Sequence, residues 1–528
     1  MHPILRHPAV LALGPAGLIC APFIGPQINL NHLWIYQSQG TETSVFIASL
    51  LNLVFAWIVI TVAVALGQRS QWWRMIIWSA LIVVLLPLIL EEWRTIGPWP
   101  IPTRFSALLS IVTSMIWGLW LLAHRRTLRA SFEQARHATS IILLFLAFNT
   151  ALMVAELSWC AERARALNAQ PRLHEPGTNA SAVPRPKVIW IVFDELSQRQ
   201  LFAGRYPGIS LPAFDSFAQQ SVTFTNVVPA GSLTAVVLPS LISGTPMQQI
   251  RSSADGYDLQ YQEVDGAPWR DFDAHNTIFQ DALNHGYGTA VVGWFNPYCK
   301  ILPVVLDHCI WVWRAATTGG MVPGASVLTN TLAPTRTILS YVLSLRHPAG
   351  LAHERDDLED QQHISDYQDL VSAADQRLSD PDTTFLLIHM PIPHPFGIYS
   401  RSTGRLTYGQ GSYVDNLVLT DLYLAHVRRM LSDHGEWDSS TLLIMGDHSL
   451  RPMWQTSSRW TAEDQAATRD GFDGRPAYLL KLPYQQLPFH LDSHYAAIYT
   501  RSLLQEIMSG QLKSSADVAT FAALHTAP

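Results

Sequence analysis

Three apolar runs in the second half of the chain each end in residues whose oxygens and ring nitrogens suit a divalent metal. Residues 188–193 (VIWIVF) lead into Asp194-Glu195. Residues 384–388 (TFLLI) lead into His389 and, five positions later, His394. Residues 441–445 (TLLIM) lead into Gly446-Asp447-His448. Carboxylates and imidazoles are the side chains that bind dications of the zinc and manganese type. A lone Asp after a strand is usually a turn or cap residue, but recurrence at three run ends points to one shared site. Such chemistry also needs a nucleophile. Residues 229–246 (PAGSLTAVVLPSLISGTP) offer Ser232, Thr234, Ser240 and Ser243 in or just ahead of a small, Gly-terminated segment. A hydroxyl beside a dication loses its proton more easily and can then attack phosphorus. Each of the four would serve equally well as a cap or turn, so the residues alone leave the choice open.

The elements that must carry these groups follow from the hydrophobic pattern. Continuous runs of strand-forming residues indicate strands buried on both faces, as in a parallel sheet. Residues 290–294 (AVVGW) form a fourth, weaker run. Helix-like stretches at 277–285, 361–378 and 414–431 lie between the runs. Strands alternating with helices imply an α/β domain whose central, mostly parallel sheet is covered by helices on both faces. In such sheets ligands bind beyond the carboxyl ends of the strands, where the candidate residues fall.

VIWIVFDEL, SLTAVVLPSLISG, PIPHPF and LLIMGDHS, in this order across about residues 187–490, resemble the motifs of the alkaline phosphatase/sulfatase superfamily. Among its members the chain is similar to membrane-anchored phosphoethanolamine transferases and lipoteichoic acid synthases. The resemblance implies that Thr234 is the nucleophile, since it falls where the sulfatase cysteine and the transferase threonine stand. It implies that Asp194, Glu195, Asp447 and His448 bind a divalent metal, zinc or manganese. His394 corresponds to a histidine that contacts the transferred group, and His389, Asn296 and Arg451 are the candidate substrate contacts. Asn296, in GWFNPYC, either faces the substrate or belongs to a structural turn. Arg451 either offers charge to the phosphate or forms a surface ion pair. Two departures matter. Thr234 cannot become formylglycine, so sulfate-ester hydrolysis is not expected. No histidine occurs from Ser449 to Phe489, so a second metal site lacks its usual ligand.

The first half is of another character. Charged residues make up only 14% of the chain, against about 25% in soluble proteins, and the deficit lies before residue 160. Residues 44–67, 72–91, 105–123 and 139–159 are each apolar over about the 20 residues that a membrane helix needs. Residues 8–28 form a weaker fifth segment, interrupted by Pro15, Pro22 and Pro26. Arg125, Arg126, Arg129 and Arg136 make the loop before the last span the most basic, which places it in the cytoplasm and everything after about residue 160 outside. The expected organisation is a transmembrane bundle of about five helices (1–160), a linker (161–186), an extracytoplasmic catalytic domain (187–515) and a tail (516–528). Outside the cytoplasm, Cys299 and Cys309 either form a disulfide or remain two buried thiols. A formal net charge of −6 without a basic stripe gives no reason to expect nucleic acid as a partner.

The resemblance implies an enzyme of a bacterial inner membrane that moves a phospho-head group from a lipid donor to an envelope acceptor through a covalent Thr234 intermediate. A hydrolase using water as acceptor and a degenerate binding module are the alternatives.

Overall fold

The continuous apolar runs form the middle of an eight-stranded sheet in the computed structural model, which describes residues 7–28, 43–96, 103–124, 127–168, 173–174, 185–253, 258–313, 321, 325–344, 348–457 and 459–526. The strands are β1 (Val188–Asp194), β2 (Val222–Phe224), β3 (Thr289–Trp294), β4 (His308–Val312), β5 (Phe385–Pro393), β6 (Thr441–Gly446), β7 (Tyr478–Lys481) and β8 (Phe489–Leu491). Their spatial order is β8-β2-β7-β6-β1-β5-β3-β4. β6, β1, β5, β3 and β4 pair in parallel, while β7 runs antiparallel to both β6 and β2. Every residue of β1, β5 and β6 is buried, as expected of strands covered on both faces. The antiparallel excursion through β7 and β2 was not foreseen, because those strands are too short to show a pattern.

Two compact units divide the chain: Met1–Ala166 with Ala315–Pro348, and Leu167–Arg314 with Ala349–Pro528. The first unit contains α1 (Pro8–Ile24), α2 (Thr43–Arg69), α3 (Gln71–Ile96), α4 (Thr103–Ala123) and α5 (Leu128–Asn168). These five helices cover the five apolar segments. Among the described residues only two stretches are long and apolar enough to cross a membrane, Thr43–Arg69 and Arg129–Arg163. Five spans are therefore not established by length and composition. α1 keeps its helix despite Pro15 and Pro22 because neighbours hold it. The Thr150 hydroxyl donates to the Leu13 carbonyl at 3.1 Å and the Trp57 indole to the Ala9 carbonyl at 2.7 Å. A Cβ on Gly17 would lie 2.0 Å from the Thr150 hydroxyl, so the approach of α1 to α5 requires glycine there. Arg129 and Arg136 lie on α5 rather than in a loop, and Arg125 and Arg126 fall outside the described residues.

α6 (Thr234–Ser243) lies in the second unit and precedes three longer helices in the sequence, the first of them not foreseen. α7 (Val327–Ser344) belongs to the first unit, α8 (Pro348–Leu378) is longer than its apolar pattern, and α9 (Tyr413–Asp433) is close to it. The residues expected as a tail fold as helix Ser515–Leu524, which starts in a Ser514/Asp517 capping box and buries Val518 and Ala522. Cys299 and Cys309 form a disulfide, linking the turn after β3 to β4. Their sequence separation of 10 makes a short loop, so chain entropy assigns the bond about 2–3 kcal/mol. The Cys299→Ser/Cys309→Ser variant should lose that much stability, measured as a lowered denaturation midpoint of the purified full chain.

Candidate active and metal site

The carboxyl ends of β5, β1 and β6 lie side by side, so the residues that follow them converge. After Phe193 the register between β1 and β5 shifts and Asp194 comes opposite Pro393. Glu195 then adopts φ 64°, which turns its side chain away from the direction taken by Asp194. β6 ends in Gly446, where a Cβ would lie 2.4 Å from the Leu196 carbonyl oxygen. Only glycine lets the turn after β1 pass that close to the Asp447-His448 pair.

Of the four candidate hydroxyls, Thr234 reaches this point. It is the first residue of α6, and its hydroxyl donates to Asp447 Oδ2 at 2.7 Å and lies 3.3 Å from His448 Nε2. Ser240 and Ser243 instead donate to the carbonyls of Val236 and Pro239 within their own helix, and Ser232 is exposed. Asn296 donates from Nδ2 to the Thr234 carbonyl at 3.0 Å. It is buried and holds the Thr234 backbone.

The two histidines nearest the carboxylates are oriented alike. His389 Nδ1 lies 2.9 Å from the Trp294 carbonyl, and His448 Nδ1 lies 3.1 Å from the Ser449 carbonyl. A carbonyl can only accept, so each ring carries its proton on Nδ1 and presents a bare Nε2 lone pair. This arrangement is typical of metal-binding histidines. The Tyr298 hydroxyl, 2.9 Å from the same His389 nitrogen, holds that ring from a second side. His389 Nε2 and Asp194 Oδ1 are both buried without a hydrogen-bond partner. Donor atoms of Asp194, His389 and Asp447 lie within 4.8 Å of one another, as do those of Asp194, Glu195 and His448. Orphaned polar atoms of this kind require an explanation, and a dication among them supplies it.

The electrostatics agree. Burial, followed by the Asp447 and Glu195 charges, pushes the Asp194 carboxyl well above the usual carboxylate range. Burial lowers His389 to about 4, with Asp447 opposing the shift, so this imidazole is neutral at pH 7 and free to bind metal. The residues therefore fit a divalent cation, and His389, expected to contact substrate, is placed among its donors.

The paired acids have separate environments. Both oxygens of Glu195 are engaged: Arg451 Nε donates to Oε1 at 2.6 Å, and the Trp454 indole N–H lies 2.8 Å from Oε1 and 2.9 Å from Oε2. Asp194 is thus the acid with an unpartnered oxygen. Arg451 forms an ion pair, as one of its two expected roles required, but with a fully buried partner instead of a surface one. His394 is half-buried and stands edge-on to Trp454, at 5.1 Å between ring centroids, and to Trp294, at 6.0 Å. Burial, then His363 and Arg451, hold it well below the usual imidazole range. His394 lies outside both groups of candidate metal donors. Sequence reasoning missed Trp454, Trp294 and Tyr298, which have no motif of their own. His494, late in the chain, pairs with Asn226 at an exposed position.

Several solved structures are similar to this chain at low identity. They include the phosphonate monoester hydrolase of Agrobacterium radiobacter (14% identity, 62% of this chain and 74% of that one, TM-score 0.38). The lipoteichoic acid synthase LtaP from Listeria monocytogenes is 12% identical over 66% of this chain and 78% of that one, with a TM-score of 0.38. A protein of the alkaline phosphatase superfamily from Vibrio parahaemolyticus is 13% identical over 65% and 73%, with a TM-score of 0.37. No curated protein matches the chain. The sulfatase family model matches residues 186–472, more than half of the chain, and the chain belongs to the sulfatase family of enzymes.

Proposed function

We propose that this enzyme is a membrane-bound, metal-dependent transferase that moves a phospho-head group, of the phosphoethanolamine or phosphoglycerol type, from a lipid donor to an envelope acceptor. The observation that carries this reading is the Thr234 hydroxyl, set at a helix start against Asp447 and His448, beside an Asp194 oxygen and a His389 nitrogen with no protein partner. Asp194, Asp447, His448 and His389 would hold a divalent cation, zinc or manganese, which would lower the pKa of the Thr234 hydroxyl and take up charge on the transferring oxygens.

This chain's own residues do the rest. Thr234 gives up its proton and forms the Oγ1–phosphorus bond as the bond from phosphorus to the lipid alcohol breaks, and that alcohol leaves with a proton. The acceptor hydroxyl then attacks phosphorus and Thr234 leaves. Asn296 keeps the Thr234 backbone in place through both steps. The first turn of α6 presents backbone N–H groups without intrahelical partners, an arrangement favourable to an anion. His394 is neutral at pH 7, which suits a base: it accepts the proton of the attacking acceptor hydroxyl.

The helical unit explains why such a site would sit on a membrane. A donor whose acyl chains remain in the bilayer is reached by an anchored domain. We place five spans at α1 to α5, the Arg125–Arg136 region in the cytoplasm and the α/β unit outside. The disulfide between Cys299 and Cys309 fits an oxidising compartment.

Thr234→Ala should lower head-group release from a labelled phospholipid by roughly 10³-fold or more, while bound metal measured by mass spectrometry remains. Wild-type enzyme stopped in acid during turnover should yield a Thr234 peptide carrying the phospho-head group. Turnover preserved in the variant would exclude the covalent route, and labelled head group released only into water would identify a hydrolase. Chelation should abolish turnover, and zinc or manganese should restore it. Because the cation binds only the folded site, adding it at about 100 times its dissociation constant should stabilise the chain by about 2.7 kcal/mol, read as a raised melting temperature.

A further inference from the structure

Residues 315–348 interrupt the sequence of the α/β unit yet belong to the helical unit. Their described polar contacts include the first three turns of α2. Met321 is fully buried, with its sulfur 3.9 Å from the Ser49 hydroxyl. Asn330, equally enclosed, donates from Nδ2 to the Ser44 hydroxyl at 3.1 Å. Asn52 donates to the Thr331 carbonyl at 3.1 Å, and Pro334 is buried beyond it. One side of α7 is therefore committed to α2 by polar contacts as well as packing.

The other side is exposed. Leu328 is 70% exposed and Leu332 is 41% exposed; four residues apart, they share a helix face, beside the exposed Thr329, Thr335 and Arg336. On α2, Ile47, Leu51, Val54 and Phe55 are also exposed. The apolar window of α2 has a mean hydropathy of 2.5 and is only 33% buried, the pattern of a helix whose solvent is hydrocarbon. A helix tied along the side of such a helix meets the same solvent. In the topology proposed above, the Thr43 end of α2 is its outer end, the side on which the α/β unit lies.

We propose that residues 327–335 are a re-entrant membrane element: a piece of the α/β unit's sequence seated along the outer end of α2, with Leu328 and Leu332 in the acyl chains of the outer leaflet. This inference rests on the membrane reading of the helical unit. The chain enters the leaflet between β4 and α8, so the lipid surface is contacted by sequence from within the catalytic part as well as from before it. The amide contacts of Asn330 and Asn52 satisfy polar groups that hydrocarbon could not.

The test uses the full chain with buried Cys20 and Cys160 replaced by Ser and the disulfide intact. A bimane probe is attached through Leu328→Cys, Leu332→Cys, Ser326→Cys or Ile58→Cys, and each variant is reconstituted in phosphatidylethanolamine/phosphatidylglycerol vesicles. Retained melting temperature identifies folded variants. Probes at 328 and 332 should lose most of their fluorescence to a lipid-borne nitroxide and be protected from aqueous iodide, as at Ile58, the exposed midpoint of α2. The probe at Ser326, exposed at the helix start, should be quenched by iodide. Iodide quenching at 328 and 332 with Ile58 still quenched by lipid would put the element in water and overturn the proposal. Protection from both quenchers would mean that protein, such as a second copy, covers the face, and would also overturn it. Iodide quenching at Ile58 itself would instead remove the membrane reading, and the inference with it.

Discussion

Three carboxylates, Asp194, Glu195 and Asp447, meet in a part of the fold where none has appreciable contact with water. Like charges at that separation, deprived of solvent, cannot all remain ionised without positive charge among them. The sheet order imposes the meeting, since β1 lies between β5 and β6 and all three strands point their carboxyl ends the same way. The fold and the charge problem therefore come together. The surrounding polar contacts are arranged around its solution, which differs from one acid to the next.

Glu195 is neutralised from within the chain. Arg451 and Trp454 engage its carboxylate, and the Tyr413 hydroxyl donates to its backbone carbonyl at 2.9 Å, tying the turn to α9. This counter-charge cannot exchange, so it is structural whatever else Arg451 does. Asp194 and Asp447 have no such partner. Asp447 uses Oδ1 to accept from the backbone N–H groups of Glu195 and His448, at 3.0 and 2.7 Å, and keeps Oδ2 for Thr234. The Nε2 atoms of His389 and His448 complete the donor set. A site that leaves its negative charge for an exchangeable cation, and places a hydroxyl against it, has the ingredients of metal-assisted nucleophilic chemistry.

How much of this could be read beforehand depended on how local each signal was. The central strands were legible because burial on both faces leaves uninterrupted apolar runs, and the candidate metal-binding residues directly follow them. β7 and β2 were not, since four and three residues are too few to establish a period. Thr234 could be separated from Ser240 and Ser243 only by resemblance or by geometry: all four hydroxyls look alike until two are seen bonded to their own helix. The role of His389 depends on which ring nitrogen carries the proton, and that is set by the Trp294 carbonyl, 95 residues away. Arg451 is 256 residues from its partner, so no local pattern could distinguish a phosphate contact from an internal counter-ion. The helices of the first unit were legible from length and apolarity, but the same pattern could not reveal that α7 packs beside them.

That last omission has a physical cause that bears on how the enzyme is built. α7 carries Asn330, Thr331 and Pro334, composition that reads as poor for a membrane segment when judged alone. Its polar atoms are satisfied by Ser44 and Asn52 of α2, so the composition belongs to a pair of helices and not to either one. α2 in turn carries Ser44, Ser49 and Asn52 in a helix otherwise apolar, and Gln27 donates to the Ser49 hydroxyl at 2.9 Å. Ser49 and Asn52, three residues apart, share one side of α2, and Ser44, seven residues before the exposed Leu51, lies at the edge of its apolar wall. A membrane helix with one polar edge is a docking edge, because hydrogen bonds left unmade there have no water to replace them. The sequence of the catalytic part returns to that edge through α7.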